Sequence, residues 1–172
     1  MKSQAIVNYG APLEEVESEL PTPTGNEVLI EISHCGVCHS DVHFHDGYFE
    51  MGGGEKLDVT RARKTPFTLG HEIEGIVVAV GDKVKNVEVG ERKVIYPWIG
   101  CGDCPDCHND REHYCTGRAL GVRLPGGFSS HCLVPEEHYC LDADGIEPGL
   151  ASTYMCSGIT AYAALKHLKP MD

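Results

Sequence analysis

From Cys35 to His43 the chain reads C-G-V-C-H-S-D-V-H: two thiols, two imidazoles, a hydroxyl and a carboxylate in nine residues. Side chains of these types bind metals, carry protons near neutral pH and orient metal ligands. Two cysteines three apart commonly share one ion or form one redox pair. A second thiol group lies downstream, Cys101-Gly-Asp-Cys104-Pro-Asp-Cys107 and then Cys115, with the spacing C-x2-C-x2-C-x7-C. Tight turns of this kind bring thiolates onto one ion, and four thiolates close a tetrahedron with no free position, the signature of a structural zinc site. Four thiolates also suit an iron–sulfur cluster, but the other metal-binding residues of the chain suit zinc. His108 and His113 fall inside this lobe. Four thiols already suffice there, so both are expected at the surface.

A catalytic zinc needs three protein ligands and an open position. Cys38, His71 in L-G-H-E and Cys156 in M-C-S-G are the candidates, drawn from three separate parts of the chain. None of these spacings is specific by itself. A lone His before a strand is more often structural, and a lone Cys at a helix start is more often buried.

The elements that must position these groups are mostly short strands. The chain has 172 residues, 41% of them hydrophobic, with 20 Gly and 10 Pro. That is one turn-rich, β-rich domain. Strands are expected over Glu27–Ser33 and Gly75–Val80, over Val84–Tyr96 as two strands broken at Val89-Gly90-Glu91, and over Phe128–Val134. Gly47–Thr68, with its G-G-G run, reads as a long surface loop with a short helix around Leu57–Arg63. Ala151–Leu168 is helical, with apolar spacing from Ile159 and Pro170 as the stop.

A formal net charge of −12 argues against a nucleic-acid partner. No apolar run is long enough for a membrane span, and the N-terminus has no secretory signal. Nine Cys in such a chain point to reduced thiols and a cytoplasmic protein. Cys35, Cys132 and Cys140 read as small buried hydrophobes.

The motifs G-V-C-H-S-D-V-H, L-G-H-E, C-x2-C-x2-C-x7-C and C-S-G-I-T-A-Y follow one another from about Val28 to Leu168. Together they resemble the N-terminal catalytic domain of zinc-dependent medium-chain alcohol dehydrogenases. Cys-His-Ser-Asp-Val-His and Pro97-Trp98 are most similar to the tetrameric microbial and archaeal members. The resemblance implies a mostly β, GroES-like partial barrel over 1–172 with a zinc lobe at about 99–116 and a C-terminal helix. It implies two zinc ions per chain: a catalytic one on Cys38, His71 and Cys156, and a structural one on Cys101, Cys104, Cys107 and Cys115. Cys35 falls on no ligand position. By the same resemblance His39 approaches the coenzyme pyrophosphate and Ser40 bonds the zinc-bound alcohol. His43 ends a proton relay through the coenzyme ribose. Asp41 holds the ring of His71, Glu72 sits behind the metal as a transient ligand, and Trp98 lines the substrate pocket.

The implied reaction is oxidation of an alcohol to an aldehyde or ketone, and its reverse, with NAD or NADP. The implied enzyme is a homo-oligomer. No G-x-G-x-x-G follows a strand anywhere in the chain, and Gly52-Gly53-Gly54 has the wrong spacing. The coenzyme domain is therefore expected to be absent, and the chain to be an inactive piece of a longer enzyme. The alternatives are a zinc-binding scaffold module without catalysis, or a related polyol, threonine or aldehyde dehydrogenase. Cys156 favours the alcohol dehydrogenase, since relatives acting on polyols often carry a carboxylate there.

Overall fold

The computed structural model describes residues 1–115 and 117–168. In chain order the strands are β1 (Lys2–Ile6), β2 (Glu14–Glu17), β3 (Val28–Gly36), β4 (Tyr48–Gly52), β5 (Glu55–Asp58), β6 (Phe67–Thr68), β7 (Glu72–Val80), β8 (Arg92–Ile95), β9 (His131–Val134) and β10 (Cys140–Asp142). The helices are α1 (His39–Asp46), α2 (Leu150–Thr153) and α3 (Ile159–His167), with a π-helical turn, Tyr154–Gly158, between the last two.

Strands β3 and β7 are rich in Val and Ile, and they pair antiparallel at the centre of a five-stranded sheet ordered β10-β8-β7-β3-β9. Val28, Ile30, Ile73, Val77, Ile95 and Val134 meet there, each fully buried. At about 1.5–3 kcal/mol for each buried aliphatic side chain, this cluster is the main stabilising element. A smaller sheet, β2-β1-β6, joins the larger one through the Ser3–Ser129 bridge and the Gln4 N–H to Phe128 carbonyl bond of 2.7 Å. The result is the mostly β, GroES-like arrangement expected from the sequence.

Register positions the chemistry. Gly36 at the end of β3 pairs with Glu72 at the start of β7. Cys38 lies two residues beyond the one and His71 one residue before the other, so sheet pairing alone brings these two side chains together. The pairing is close: a Cβ on Gly36 would lie 2.2 Å from Glu72 Oε2, so any larger residue there would force the Glu72 carboxylate aside.

Three segments differ from expectation. Gly47–Thr68 is not a structureless loop. It holds the β4–β5 hairpin, closed by the two-residue Gly53-Gly54 turn, and then a short 3₁₀ turn at Thr60–Ala62. Most of the hairpin is exposed, so no apolar alternation betrays it, but Gly-Gly between two short runs is a hairpin signal. Val84–Tyr96 contains one strand, not two. Val84 and Val87 do pack on the core, but the amides of Lys85 and Asn86 donate to the Glu137 carboxylate at 3.0 and 2.7 Å instead of to a neighbouring strand. Phe128–Val134 is strand only from His131; before it the Phe128 carbonyl and the Ser130 N–H bond to β1, while the Ser130 carbonyl accepts the Ile32 N–H of β3. The expected helical segment Ala151–Leu168 is helical as far as His167 but divided into α2, the π-helical turn and α3, and Pro170 lies outside the described residues.

Candidate metal centres

Cys38 is the N-cap of α1, the helix that carries His39, Ser40, Asp41 and His43. Burial acts to raise the Cys38 thiol's pKa, but neighbouring Ser40 and His71 outweigh it and lower the thiol below its usual value. Asp41 turns inward and is 2% exposed. Its Oδ2 accepts the Cys38 N–H at 3.0 Å, while Oδ1 accepts the Gly70 N–H at 3.2 Å and lies 3.1 Å from His71 Nδ1. One carboxylate thus reaches the first and second candidate ligands together.

His71 is fully buried, and Asp41 occupies its Nδ1. Its Nε2 is buried with no hydrogen-bond partner. Such orphaned polar atoms are costly unless something coordinates them. Cys38 Sγ and Cys156 Sγ stand 3.9 Å apart, and the ligand atoms of Cys38, His71 and Cys156 all lie within 4.8 Å of one another. A tetrahedral zinc with Zn–S bonds of about 2.3 Å sets its sulfurs about 3.8 Å apart. The donor set, the spacing and the orphaned Nε2 therefore fit zinc. Burial alone would lower the His71 pKa, but Asp41 and Cys156 outweigh it and carry the imidazole up to about 11.

Cys156 sits in the π-helical turn, a local geometry frequent at functional sites. The next residue, Ser157, donates its N–H at 3.0 Å and its hydroxyl at 2.8 Å to Glu72 Oε1. Glu72, 2% exposed, therefore lies against both the Cys156 turn and Gly36. Trp98 donates Nε1–H to the Met155 carbonyl at 3.3 Å, and its ring is 5.9 Å from that of His71. It also lines a cavity of about 480 Å³ with Tyr96, Ile159 and Tyr162. His39 and His43 stack at 4.6 Å, with Phe49 of the hairpin 4.6 Å beyond His43. Ser40 and His43 are three apart on α1 and share a face.

The four lobe sulfurs also lie within 4.8 Å of one another, with Cys104 to Cys107 at 3.5 Å and Cys101 to Cys107 at 3.9 Å. Backbone N–H groups of Asp103 and Cys104 lower the Cys101 thiol to about 7. Cys107 is raised to about 11, by desolvation first and then by its neighbouring thiols. One bound cation would relieve both that desolvation and the crowding of thiols. His108 and His113 are exposed. Among the described residues, Cys35, Cys132 and Cys140 belong to neither group, and burial pushes each of their thiols up to about 12. Cys35→Ala is expected to leave zinc content unchanged and to cost about 1 kcal/mol, roughly 2–4 °C in Tm. Metal analysis and a thermal melt check both, and loss of an ion in this variant would contradict the ligand assignment.

The sequence assigned no role to Ser157, Glu74 or Arg92, and gave no sign of α1. The C-S-G-I-T motif could have flagged Ser157. Nothing local marks Glu74 and Arg92, whose pairing arises from the β7–β8 register.

Two groups of side chains on a mostly β scaffold, one of four cysteines and one of two cysteines and a histidine, could each hold a metal ion. Residues 24–145 match the model of the alcohol dehydrogenase GroES-like domain, and the chain belongs to that family. It is similar to the NAD-dependent alcohol dehydrogenase of Sulfurisphaera tokodaii, at 36% identity over 167 residues, covering 96% of this chain and 47% of that protein. Among solved structures it is similar to acetophenone reductase from Geotrichum candidum in complex with NAD, with TM-score 0.81, 26% identity, and 96% and 46% of the two chains covered. It is also similar to the D-arabinose dehydrogenase from Sulfolobus solfataricus, with TM-score 0.80, 28% identity, and 96% and 48% covered. The chain spans about half the length of the curated relatives it matches. No helix among its described residues is long and apolar enough to cross a membrane.

Proposed function

We propose that this chain is the zinc-holding catalytic half of a nicotinamide-dependent alcohol dehydrogenase. The observation that carries the reading is the orphaned Nε2 of His71 facing two thiols, in a chain that separately gathers four thiols in a closed lobe. A scaffold needs the second arrangement and has no use for the first.

In this reading Cys38, His71 and Cys156 hold the catalytic ion, and Cys101, Cys104, Cys107 and Cys115 hold the structural one. Zinc at the three-ligand site supplies a Lewis acid for the oxygen of an alcohol or carbonyl. NAD or NADP supplies the hydride acceptor, bound by a domain outside these 172 residues; the absence of G-x-G-x-x-G and the half-length match support this. Cys38 and Cys156, as thiolates, offset most of the ion's charge, and His71 adds a neutral donor whose tautomer Asp41 sets. Ser40 bonds the substrate oxygen and passes its proton toward His43, an imidazole suited to exchange near neutral pH. His39 faces the coenzyme phosphates, Glu72 stands behind the ligands, and Trp98 walls the substrate side. Substrates are small alcohols, aldehydes or ketones. The whole enzyme is a cytoplasmic homo-oligomer; unpaired cysteines support a reducing compartment, and exposed Tyr162, Leu165 and Leu168 support burial of α3 against another surface.

The test is metal analysis of the purified chain. About two zinc per chain are expected, with Cys38→Ser losing one and Cys101→Ser losing the other. A single zinc, lost in Cys101→Ser and kept in Cys38→Ser, would sink the dehydrogenase reading in favour of a scaffold.

A further inference from the structure

The third candidate ligand comes from a segment 85 residues past His71, so something must hold that segment against β7. Glu72 holds its far end through Ser157, one residue beyond Cys156. The near end is held by a different pair. Glu74 is two residues along β7 from Glu72, so both carboxylates leave the strand on the same face. Glu74 is 1% exposed. Its Oε2 accepts the Gly149 N–H at 3.1 Å, directly before α2, and its Oε1 accepts Arg92 Nε–H at 2.8 Å. Arg92 Nη1 donates to the carbonyls of Ala143 and Ile146 at 3.1 and 3.0 Å. The pair thus grips three backbone groups between residues 143 and 149.

From Gly149 the chain runs through α2 and the π-helical turn to Cys156, about 10 Å of helical rise. A short helical rod transmits the position of its start to its end. Gly149 itself has φ +84°, so this entry geometry requires glycine.

A buried ion pair is weak evidence of stabilisation, because desolvation offsets much of its attraction. This pair also leaves Arg92 Nη2 buried without a partner. A contact selected for stability alone would not leave that donor unmet. We propose that Glu74 and Arg92 are positioning residues for Cys156: they fix the entry to its segment, as Glu72 fixes the exit, and so set the third thiolate at bonding distance from the catalytic ion. The inference rests on the zinc reading of Cys38, His71 and Cys156.

The experiment measures two zinc affinities on the folded chain, by competition with a chromophoric chelator, alongside a thermal melt. Glu74→Ala should weaken the three-ligand site by roughly 10–100-fold and leave the four-thiolate site unchanged. Arg92→Lys keeps a charge beside Glu74 but loses the fork to the two carbonyls; it should weaken the same site by roughly 3–10-fold. If Glu74→Ala does not fold, Arg92→Lys decides. A pair with a merely structural role would lower the melting temperature in both variants and leave both affinities at the wild-type value, and that result overturns the inference. A wild-type chain that binds zinc only at the lobe is a different failure: it removes the zinc reading of Cys38, His71 and Cys156, and this inference falls with it.

Discussion

Cys104→Ser should release the lobe ion and melt residues 101 to 115 locally, while the sheet and the three-ligand site persist. The lobe has almost nothing else to hold it. Between Cys101 and Cys115 it contains two 3₁₀ turns and no buried residue. Its flanks, by contrast, are anchored: Ile99 and Leu120 are each 1% exposed and sit in the main core cluster. Structural zinc contributes on the order of 10–16 kcal/mol in small metal-dependent folds. Here the loss falls on the lobe, because the core on either side does not depend on it. Arg111 is exposed and tied only to Asp106, at 2.8 Å, and to neighbouring backbone. It is therefore a reporter: trypsin should cut after Arg111 roughly 100-fold or more faster in Cys104→Ser, or after chelation, than in the zinc-loaded chain. Zinc content should fall by one ion and far-UV circular dichroism should barely change. Equal cleavage rates with and without zinc would mean that packing, not metal, orders the lobe.

The difference between lobe and barrel explains what was legible in the sequence. Metal ligands are few in kind, and a four-thiolate site requires its residue types at short spacing, so Cys101 to Cys115 could be read directly. Cys38, His71 and Cys156 were legible only as a set, through the resemblance, because their proximity is made by the β3–β7 register and by α2. The two central strands were legible because both are long and rich in Val and Ile. β1 and β2 were not: β1, K-S-Q-A-I, is central in the small sheet but has only Ala5 and Ile6 as apolar residues, and β2, E-E-V-E, is an edge strand with a single apolar residue. Helix α1 was hidden for a related reason. H-S-D-V-H-F-H-D buries only Asp41 and Phe44, so it shows no apolar stripe, and its start is marked by a Cys N-cap instead of the usual Ser, Thr or Asp. Val84 and Val87 misled in the opposite direction: they are apolar and packed, but Glu137 takes their neighbours' amides. Glu74 and Arg92 lie beyond any local pattern, because a buried carboxylate in a strand is unremarkable until its partners are known.

Asp41 offers the sharpest test of how the candidate site is held together. Three donors converge on its carboxylate: the Cys38 amide, the Gly70 amide and His71 Nδ1–H. Asp41→Ala leaves all three without their acceptor, at about 1–3 kcal/mol for each buried donor. The costs are not additive, but a loss of about 3 kcal/mol or more is expected, with a correspondingly lower Tm. Zinc affinity at the three-ligand site should fall by roughly 10–100-fold, because the ring of His71 loses the partner that fixes its tautomer. Asp41→Asn separates these two effects. An amide placed on Nδ1 donates instead of accepting, so the ring must carry its proton on Nε2, where the ligand lone pair is needed. An amide placed the other way presents its NH2 to the Cys38 amide, and that donor goes unmet. Either orientation keeps the shape and part of the bonding, so Asp41→Asn should lose less stability than Asp41→Ala. Its three-ligand zinc should weaken at least as much if the amide NH2 faces His71 and less if the amide oxygen does, and the lobe ion should be unaffected in both. If Asp41→Ala, still folded, binds its second zinc as tightly as the wild type, Asp41 serves only to fold α1 against β7, and the orphaned Nε2 of His71 is not held ready for a metal.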